Sequence, residues 1–410
     1  MALIVQKYGG TSIANYDRIR NVAERVIKYH FQGHQMVVVL SAMAGQTDQL
    51  GKMARQITAE PDPREMDVLL ATGEQVSIAL FAMAVNSMGV EARSLLGHQA
   101  EIATDRIYGR ARIVGVDTTR IRNELDKGRI VAVAGFQGRD ENGDITTLGR
   151  GGSDTTAVAL AAALSADVCE IYTDVNGVFT TDPAIVPNAR KLDKISYDEM
   201  LEMAALGAKV LEIRSVEFAK KFNVPVHIRS SFTEEEGTYV VEKDASMDKV
   251  VVSGVAYNKN QALVTIKDVP DQPGIASLIF GPISAAGVVV DVIIQNTSQG
   301  GRTDMTFTVT IPDLEKALEL SQEAAAQIGA KEVIGDTTVA KVGVVGVGMQ
   351  NHAGVASQMF KTLAEHGINI ILITTSEIKI SVVIDERYTE LAVRVLHEAF
   401  ELESPPWEEE

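Results

Sequence analysis

The sequence predicts an α/β domain with a mainly parallel central sheet, followed by two smaller α+β modules of the βαββαβ type. Two observations support this division. Apolar, β-branched runs alternate with helical patterns through the first part of the chain, and a later segment repeats at an offset of 80 residues, as from Gly274 to Gly354. The chain of 410 residues is also longer than one ordinary hydrophobic core supports, so we expect more than one domain.

The first domain is predicted to alternate strands with helices. Continuous apolar and β-branched runs predict strands at 3–7, 36–41, 130–135, 168–173 and 224–229. Helical patterns between them predict helices at 16–30, 63–88, 118–128, 154–165 and 196–206. Uninterrupted apolar strands indicate a parallel sheet that is covered on both faces, and such folds bind ligands at the carboxyl ends of the strands.

The C-terminal part is predicted to be a duplicated module. The pattern changes at 232–249, which we interpret as a linker, and beyond it residues 274–277 match residues 354–357. Each copy is expected to end with a second helix, near 314–328 and 389–400. The predicted domains are therefore 1–245, 246–335 and 336–403, with an acidic tail at 404–410.

The composition excludes several classes of function. Its 38 Lys and Arg against 55 Asp and Glu give a net charge of −17, which argues against a nucleic-acid-binding surface. Cys169 is the only cysteine, and its apolar neighbours predict a buried small hydrophobe rather than a nucleophile. No signal peptide is visible, and the apolar run 157–166 is about half the length that spans a bilayer. We expect a cytoplasmic protein that binds neither nucleic acid nor membrane.

The first candidate site lies where the first predicted strand ends. Lys7 and Tyr8 are followed there by Gly9 and Gly10 and then by two hydroxyl residues. Glycine lets backbone N–H groups approach a phosphate closely, a helix that begins nearby favours anions, and Lys7 adds a positive charge. The order differs from the Walker motif, in which the lysine follows the glycines. A strand that ends in an ordinary glycine turn would explain the same residues.

A second glycine-rich run, 146–154, opens a predicted helix. Arg150 lies between glycines, which leave room for an anion, and its guanidinium can bind a carboxylate through two hydrogen bonds. Asp154 can cap the helix or hold a cationic side chain in place, and the two roles can coexist.

A third run, 41–47, follows the second predicted strand with small and hydroxyl residues, which suit the close approach of a ligand. Within it, Thr47 can also be explained as a helix N-cap. Glu74 interrupts an apolar helical pattern next to a glycine. A single glutamate on a helix is more commonly a solvated surface charge, so both explanations stay open.

A fourth run, 172–183, follows another predicted strand and is similar to the edge of a nucleotide site. Its Asp and Asn residues also favour tight turns for purely local reasons. Lys209 is a second lysine close to a glycine. Together with Lys7 it suggests a polyphosphate ligand rather than a salt bridge.

In combination these motifs resemble the aspartate kinase family, which has the amino-acid kinase fold and C-terminal ACT modules. The likeness extends from residue 1 to about 400 and rests on 7–12, 146–154, 172–182 and 186–192. It implies an amino-acid kinase-like sandwich followed by two ferredoxin-like ACT modules. It also implies transfer of a phosphoryl group from ATP to the β-carboxylate of L-aspartate, the first step of lysine, threonine and methionine biosynthesis. The resemblance further implies that Mg2+ bridges the phosphates; the sequence itself contains no dedicated metal cage.

The resemblance implies roles for individual residues. Lys7 would stabilise the charge on the transferring group, while Asp154 would orient the lysine end of the site. The implied catalytic residues are Lys7, Glu74 and Asp154. The implied ATP-binding residues are Lys7, Tyr8, Gly9, Gly10, Ser41, Thr173, Asp174, Phe179, Asp182, Ala184 and Lys209. Arg150 would bind the α-carboxylate of aspartate and Glu74 its amino group, in a substrate set that comprises Ser41, Thr47, Glu74, Arg150, Gly151, Gly152, Ser153 and Asp154.

The chain departs from the family pattern at a few positions. Ala184 stands where an arginine commonly follows Asp-Pro, which would weaken ATP binding unless Lys209 compensates. Tyr8 replaces a usual Phe and Asn176 a usual Asp, and both changes look tolerable. In the second module Ala353 replaces a common proline, which would free the turn and alter the response to an effector.

ACT modules bind amino acids beside the glycine turn after their first strand, so the resemblance implies feedback inhibition by lysine, threonine or both. The implied effector-binding residues of the first copy are Asp271, Gln272, Gly274, Ile275, Ala276, Gln295, Asn296 and Ser298. Those of the second copy are His352, Val355, Asn369, Ile370, Ser376 and Glu377. Turns that bind no ligand would explain the same residues, above all in the second copy. Pairing of modules between chains would form at least a dimer, and an internal start at Met247 would yield a separate regulatory chain.

Two other functions also fit the residues. A related kinase with another acceptor would share the phosphate motif, although Arg150 and Glu74 disfavour a nucleotide as that acceptor. A non-catalytic amino-acid sensor would need only the fold. This chain retains a full set of candidate site residues as well, namely Lys7, Glu74, Arg150, Asp154 and Lys209.

Overall fold

The chain folds into two compact units. The computed structural model describes residues 1–208, 210–244, 247, 250–296, 300–352 and 354–404, with only the backbone of Gln350 and Asn351. The first unit comprises Met1–Phe179, Lys191–Ala205 and Lys209–Lys249, and the second comprises Thr180–Arg190, Leu206–Ala208 and Val250–Glu410. The predicted boundary at 245/246 lies outside the described residues, as does the tail from 405 onwards, so these limits stay predictions.

The secondary structure follows the predicted alternation, with additional short strands. The helices are α1 Tyr16–Phe31, α2 Gln46–Ile57, α3 Pro63–Leu70, α4 Thr72–Ser87, α5 Thr119–Leu125, α6 Gly152–Leu164, α7 Tyr197–Ala205, α8 Ile213–Phe222, α9 Ile275–Ala285, α10 Leu314–Ile328, α11 Val355–Glu365 and α12 Thr389–Ala399. The strands are β1 Leu3–Tyr8, β2 Gln35–Leu40, β3 Ala92–Leu95, β4 Ile102–Thr104, β5 Ile113–Val116, β6 Ile130–Ala134, β7 Gln137–Arg139, β8 Ile145–Thr147, β9 Val168–Thr173, β10 Lys194–Ser196, β11 Val226–Ser230, β12 Thr238–Val241, β13 Gly254–Pro270, β14 Ile293–Gln295, β15 Arg302–Val309, β16 Glu332–Val345, β17 Leu372–Thr375 and β18 Lys379–Asp385.

An eight-stranded sheet forms the centre of the first unit, in the order β10-β12-β11-β9-β1-β2-β6-β3. All neighbours run parallel except β11 and β12, so the predicted mainly parallel sheet is confirmed. β1 lies between β2 and β9, and Lys7 is in register with Val39 and Ile171. The ends of three parallel strands therefore meet where the first candidate motif begins.

Helices cover both faces of this sheet. Side chains of α1 and α4, such as Val26 and Phe81, pack with Ile4 and Val38 in one apolar core. α6 is buried along most of its length, which explains its apolar run. Cys169 is buried on β9, where burial raises the pKa of its thiol, in agreement with the predicted role as a small hydrophobe.

The apolar stretch predicted as one helix at 63–88 forms two helices, α3 and α4. The break falls at Ala71, whose carbonyl accepts a hydrogen bond from the side-chain amide of Gln137 at 2.9 Å. This stretch is long and apolar enough to cross a membrane by length and composition alone. It nevertheless carries two buried carboxylates, Asp67 and Glu74, which is typical of a core helix in a folded domain rather than of a lipid-exposed span.

Two features of the first unit differ from the predictions. A four-stranded sheet in the order β5-β4-β7-β8 has no counterpart among the predicted strands, because its strands are only three or four residues long. The predicted linker at 232–249 contains β12, which pairs with β10 and β11 and buries Thr238 and Val240. That part of the linker prediction is wrong, since a buried strand is not a flexible connection.

The second unit contains a six-stranded sheet in the order β14-β15-β13-β16-β18-β17. Two hydrophobic cores lie along it, one under α9 and α10 and the other under α11 and α12, as the predicted duplication requires. The long strands β13 and β16 serve both copies. The start of β13, at Gly254, pairs with the end of β16, so a strand that precedes the first copy completes the second.

Candidate active site

The structure brings Lys7 and Asp154 together. Lys7, near the end of β1, places its Nζ 2.6 Å from Oδ1 of Asp154, which lies in the first turn of α6. The two side chains are only 12% and 13% exposed. α6 is capped by Gly151 and not by Asp154, so the alternative that Asp154 caps the helix is wrong and the one in which it holds a cation is confirmed. A lysine at the amino end of a helix is an arrangement suited to an anionic group.

The glycines that follow Lys7 allow the strand ends to approach one another. A Cβ on Gly10 would lie 2.8 Å from the carbonyl oxygen of Ala42, which is too close for any other residue. Gly9 lies beside the ammonium of Lys7, and its amide donates a long hydrogen bond of 3.4 Å to the carbonyl of Tyr172. The turns after β1, β2 and β9 therefore converge on Lys7.

Arg150 lies in a turn with two left-handed glycines. Gly149 and Gly151 have φ values of 76° and 68°, which only glycine adopts without strain. The guanidinium of Arg214 holds this turn by donating to the carbonyls of Leu148 at 2.7 Å and Arg150 at 3.3 Å. The side chain of Arg150 is exposed and available to a ligand.

The neighbouring residues of that turn have structural contacts. Gly152 packs against Phe136, where a Cβ would lie 3.0 Å from the ring. Ser153 is 7% exposed and lies against Gly135, at the end of β6. These two residues shape the start of α6, whereas Arg150 and Asp154 provide charged groups.

Glu74 is buried and has an unused acceptor. It is 3% exposed, its Oε1 accepts from the amide of Ala42 at 3.0 Å, and its Oε2 has no hydrogen-bond partner among the described residues. Burial raises the pKa of its carboxyl to about 7. The alternative of a solvated surface charge is wrong. A Cβ on Gly73 would lie 2.7 Å from that of Ala42, so this glycine lets α4 reach the turn after β2.

A cavity of about 410 Å3 lies beside the glycine turn that carries Arg150. Thr47 and Arg150 line it, as does Asp67, a buried carboxylate that the sequence analysis missed. Its other lining residues are Pro61, Pro63, Met66, Leu70, Gly109, Phe136, Thr147 and Gly149. Gly45 caps α2 in place of Thr47, so the N-cap explanation of Thr47 is wrong and its side chain is free to face this cavity. Ser41 is half-buried directly after β2.

Glu212 is a second carboxylate that the sequence analysis missed. Burial raises its pKa, which Asp154 raises further while Arg214 and Arg150 lower it. A Cβ on Gly151 would collide with the Glu212 side chain at 2.4 Å, so the two lie in direct contact. Its sequence position at the start of α8 gives no signal of this, because acidic residues are common there.

The predicted nucleotide run divides between the two units. Thr173, Asp174 and Phe179 belong to the first unit, where the hydroxyl of Thr173 donates to Asp174 at 3.2 Å. Asp182 and Ala184 belong to the second, where Asp182 accepts from the Ala184 amide and from the Tyr257 hydroxyl, both at 2.9 Å. Lys209 lies outside the described residues.

A polar network lies on the face of the sheet opposite Lys7. The side chains of Gln6 and Tyr8, the neighbours of Lys7 along β1, point to this face. Glu170, only 4% exposed, accepts from Gln6 at 2.7 Å, from Tyr172 at 3.2 Å and from Arg229 at 3.5 Å. Tyr8 donates to Gln6 at 3.1 Å and stacks on Tyr172 with 4.6 Å between ring centroids. Burial raises the pKa of both tyrosines, so they remain hydrogen-bond donors.

The predicted effector residues of the first module lie at one end of its sheet. The amide of Asp271 donates to Gly301, and the hydroxyl of Thr303 donates to the carbonyl of Asn296, so the turn after β13 and the end of β14 are held at the same end of β15. Gln272, Gly274, Ile275 and Ala276 continue that turn into α9, and Gln295 ends β14. Ser298 lies outside the described residues.

In the second module the corresponding residues have mixed environments. Val355 is 5% exposed and belongs to the hydrophobic core. His352 is exposed, and its Nδ1 lies 2.9 Å from the carbonyl of Gly348. Asn369 and Ile370 precede β17, and Ser376 and Glu377 form the turn between β17 and β18. Among the described residues of the whole chain, no group of three or more His, Cys, Asp or Glu could hold a metal ion.

Comparison with known proteins assigns the chain to a family. The amino acid kinase family matches residues 2–230, and ACT domains match residues 263–322 and 342–400. The chain is 58% identical to the aspartokinase of Pseudomonas aeruginosa over 407 residues, which cover 99% of each chain. Escherichia coli aspartokinase III in complex with aspartate and ADP, in the R-state, matches with a TM-score of 0.83 at 27% identity, over 97% of this chain and 99% of that one.

The same Escherichia coli enzyme in complex with lysine and aspartate, in the T-state, matches with a TM-score of 0.75 at 27% identity over the same shares of the two chains. The predicted resemblance is thus confirmed along the whole chain, including both C-terminal modules. The chain therefore belongs to the aspartokinase family, and its activity is that of an aspartate kinase.

Proposed function

We propose that the first unit transfers the terminal phosphoryl group of ATP to the β-carboxylate of L-aspartate at the site around Lys7. The observation that carries this proposal is the Lys7–Asp154 pair at the amino end of α6, with nearby Glu74 keeping a free buried oxygen. The acceptor carboxylate is already ionised at neutral pH, so no strong general base is needed. Catalysis then consists of positioning the reactants and neutralising charge on the transferring group.

Lys7 supplies that neutralising charge. Asp154, 2.6 Å from Lys7 Nζ, fixes its direction, and Gly9 leaves space beside the ammonium for phosphate oxygens. Fixed charges aimed at the reacting group in a partly buried site are among the largest contributions to catalysis.

Aspartate is held by two opposite charges. Arg150, exposed on its glycine turn, binds the α-carboxylate, and Oε2 of Glu74 accepts a hydrogen bond from the amino group. Ser41 and Thr47 lie between the two ligands. Glu74 fits this role because a buried acceptor without a donor carries a desolvation cost, which an ammonium group would remove.

The nucleotide is bound along the carboxyl ends of β1 and β9, by Gly9, Gly10, Thr173, Asp174 and Phe179. Mg2+ accompanies ATP and is bound mainly by phosphate oxygens, which suits a chain without a carboxylate cage in its described part.

The C-terminal modules bind effector amino acids and inhibit the reaction. The structure of Escherichia coli aspartokinase III with lysine supports lysine as an effector, and threonine is a second candidate. An effector inhibits by binding a less active arrangement more tightly than the active one. Subunits pair through these modules, and a separate regulatory chain that starts at Met247 is a further partner. The enzyme works in the cytoplasm.

One assay tests the catalytic proposal. Hydroxylamine traps the acyl phosphate as a hydroxamate, which should form from aspartate with ATP and Mg2+ but not from glutamate, while UMP should give no phosphorylated product. Lys7→Ala should abolish hydroxamate formation and keep the wild-type circular dichroism spectrum, whereas Lys28→Ala, at an exposed lysine of α1, should be unaffected. Near-normal turnover of Lys7→Ala would refute the role of Lys7. Repeating the assay with lysine, threonine and their mixture identifies the effector.

A further inference from the structure

Asp67 is a carboxylate that the reaction does not use directly. It lies on α3, is fully buried at 0% exposure, and accepts hydrogen bonds from Thr147 and Gly109. The Thr147 amide donates to Oδ2 at 2.8 Å, the Thr147 hydroxyl to Oδ1 at 2.6 Å, and the Gly109 amide lies 3.0 Å from both oxygens. A buried charge satisfied by neutral donors fixes their positions strongly, because losing any of them costs desolvation energy.

Both donating residues, Thr147 and Gly109, adjoin the turn that carries Arg150. Thr147 ends β8 and leads directly into the turn that carries Arg150, and the amide of Ala111 donates to its carbonyl at 2.8 Å. Gly109 lies under that turn, since a Cβ on Gly149 would be 2.9 Å from its carbonyl oxygen. Asp67 therefore holds the turn from two sides.

Asp67 is also connected to the other half of the aspartate site. α3 leads through Ala71 into α4, and Glu74 lies in the first turn of α4. Asp67, Thr147 and Arg150 line the same cavity of about 410 Å3. One carboxylate thus links the helix segment before Glu74 to the turn that bears Arg150.

We infer that Asp67 is a positioning residue that sets the spacing between Arg150 and Glu74, and thereby the affinity of the enzyme for its amino-acid substrate. The inference rests on the proposed roles of Arg150 and Glu74. The spacing matters because the two charges must reach the α-carboxylate and the amino group of one small molecule at the same time. ATP does not depend on this spacing, so the effect is specific to aspartate.

The test separates positioning from folding by comparing the KM values of the two substrates. Asp67→Asn keeps the shape but turns one acceptor oxygen into a donor that faces an N–H group. We expect it to raise the KM for aspartate about tenfold, the cost of one broken buried hydrogen bond, while the KM for ATP stays within about twofold. Thr147→Val, in which a methyl group replaces the hydroxyl, should raise the KM for aspartate less than Asp67→Asn does. Thr147→Ser, which keeps the hydroxyl, should have a KM for aspartate close to wild type.

Glu199→Gln is the matched control. Glu199 is also buried, at 2% exposure, and accepts the amide and the hydroxyl of Ser196 at 3.0 and 2.7 Å, and neither residue lines the cavity. It should lower the melting temperature without changing the KM for aspartate. If Asp67→Asn does not fold, Thr147→Val and Thr147→Ser decide the question by the same comparison of the KM for aspartate with the KM for ATP.

The inference is overturned if the Asp67 and Thr147 variants leave the KM for aspartate within about twofold of wild type, or raise both KM values equally. Arg150→Gln, assayed beside them, reports on the proposed function itself. If Arg150→Gln raises the KM for aspartate while the Asp67 and Thr147 variants do not, only the role of Asp67 fails. If Arg150→Gln leaves it unchanged, the proposed site fails.

Discussion

Two buried glutamates of the first unit, Glu74 and Glu170, have opposite surroundings. Both are nearly inaccessible, at 3% and 4% exposure. Glu170 is surrounded by donors from three strands and α1, including Gln6 at 2.7 Å and Arg229 at 3.5 Å. Glu74 receives one amide and leaves an oxygen without a partner among the described residues. Because native proteins satisfy nearly all buried polar groups, the satisfied carboxylate indicates a scaffold and the unsatisfied one a ligand site.

The largest effect should come from removing the charge of Arg150, which binds the α-carboxylate of aspartate while Glu74 binds its amino group. Arg150→Gln should raise the KM for aspartate about a hundredfold, because a charged two-point hydrogen bond to the carboxylate is lost. Arg150→Lys should recover only part of this, since lysine cannot form both bonds at once. Steady-state kinetics with the hydroxamate assay measure both, with Arg120→Gln, at an exposed arginine of α5, as the control. A KM close to wild type for Arg150→Gln would contradict the ligand-site assignment.

The next effect tests the scaffold side of the comparison. Glu170→Gln should lower the free energy of unfolding by about 2 kcal/mol, because Arg229 and the surrounding hydroxyls lose their charged acceptor. Both KM values should stay near wild type. Urea unfolding followed by fluorescence measures the change, and Glu217→Gln, at an exposed position of α8, is the control. A large rise in KM with unchanged stability would show that the network belongs to the ligand site after all.

The pH dependence of aspartate binding sharpens the role of Glu74. Burial raises the pKa of this carboxyl to about 7 in the free enzyme, so the carboxyl is increasingly protonated below that pH. The protonated carboxyl has lost the negative charge that binds the ammonium group of aspartate. The carboxylates and the ammonium of aspartate keep their charges between pH 5.5 and 8. The KM for aspartate should therefore rise as pH falls through 7, by up to about tenfold per pH unit, and should level off above 7.5.

Glu74→Gln provides the check on this pH profile. The amide does not titrate, so its KM for aspartate should be high and nearly constant between pH 5.5 and 8. The KM for ATP, measured over the same range, reports on titration elsewhere in the site. A wild-type profile that is retained in Glu74→Gln would assign the titration to another group.

Candidate residues within contiguous motifs could be predicted from the sequence. Lys7, Gly9 and Gly10 were predictable because a strand end, a glycine turn and a lysine follow one another directly. Asp154 was assigned two alternative roles, and only its 2.6 Å contact with Lys7 decides between them. The parallel sheet was equally predictable, because buried parallel strands form long apolar runs.

Contacts between distant segments were not predictable in the same way. Asp67 meets Thr147 across 80 residues, and Gln6 meets Glu170 across 164, so no local spacing marks either pair. The duplication in the second unit was visible as a repeat, but the sharing of β13 and β16 between the copies was not. A repeat defines equivalent segments, whereas strand pairing depends on how the two copies assemble.

The smallest expected effect concerns Tyr8, which adjoins Lys7 along β1 but points into the scaffold network. Tyr8→Phe removes the hydroxyl that donates to Gln6 at 3.1 Å and keeps the ring stacked on Tyr172. The free energy of unfolding should fall by about 1 kcal/mol, the usual contribution of one buried neutral hydrogen bond, and kcat should stay within about twofold of wild type.

Tyr172→Phe is the matched variant, since its hydroxyl donates to Glu170 at 3.2 Å and its loss should cost somewhat more because this acceptor is charged. Urea unfolding and hydroxamate kinetics on both variants measure stability and turnover together. A tenfold loss of kcat in Tyr8→Phe with unchanged stability would mean that the network acts on Lys7 through β1. The separation of scaffold and ligand site across the two faces of the strand would then be wrong.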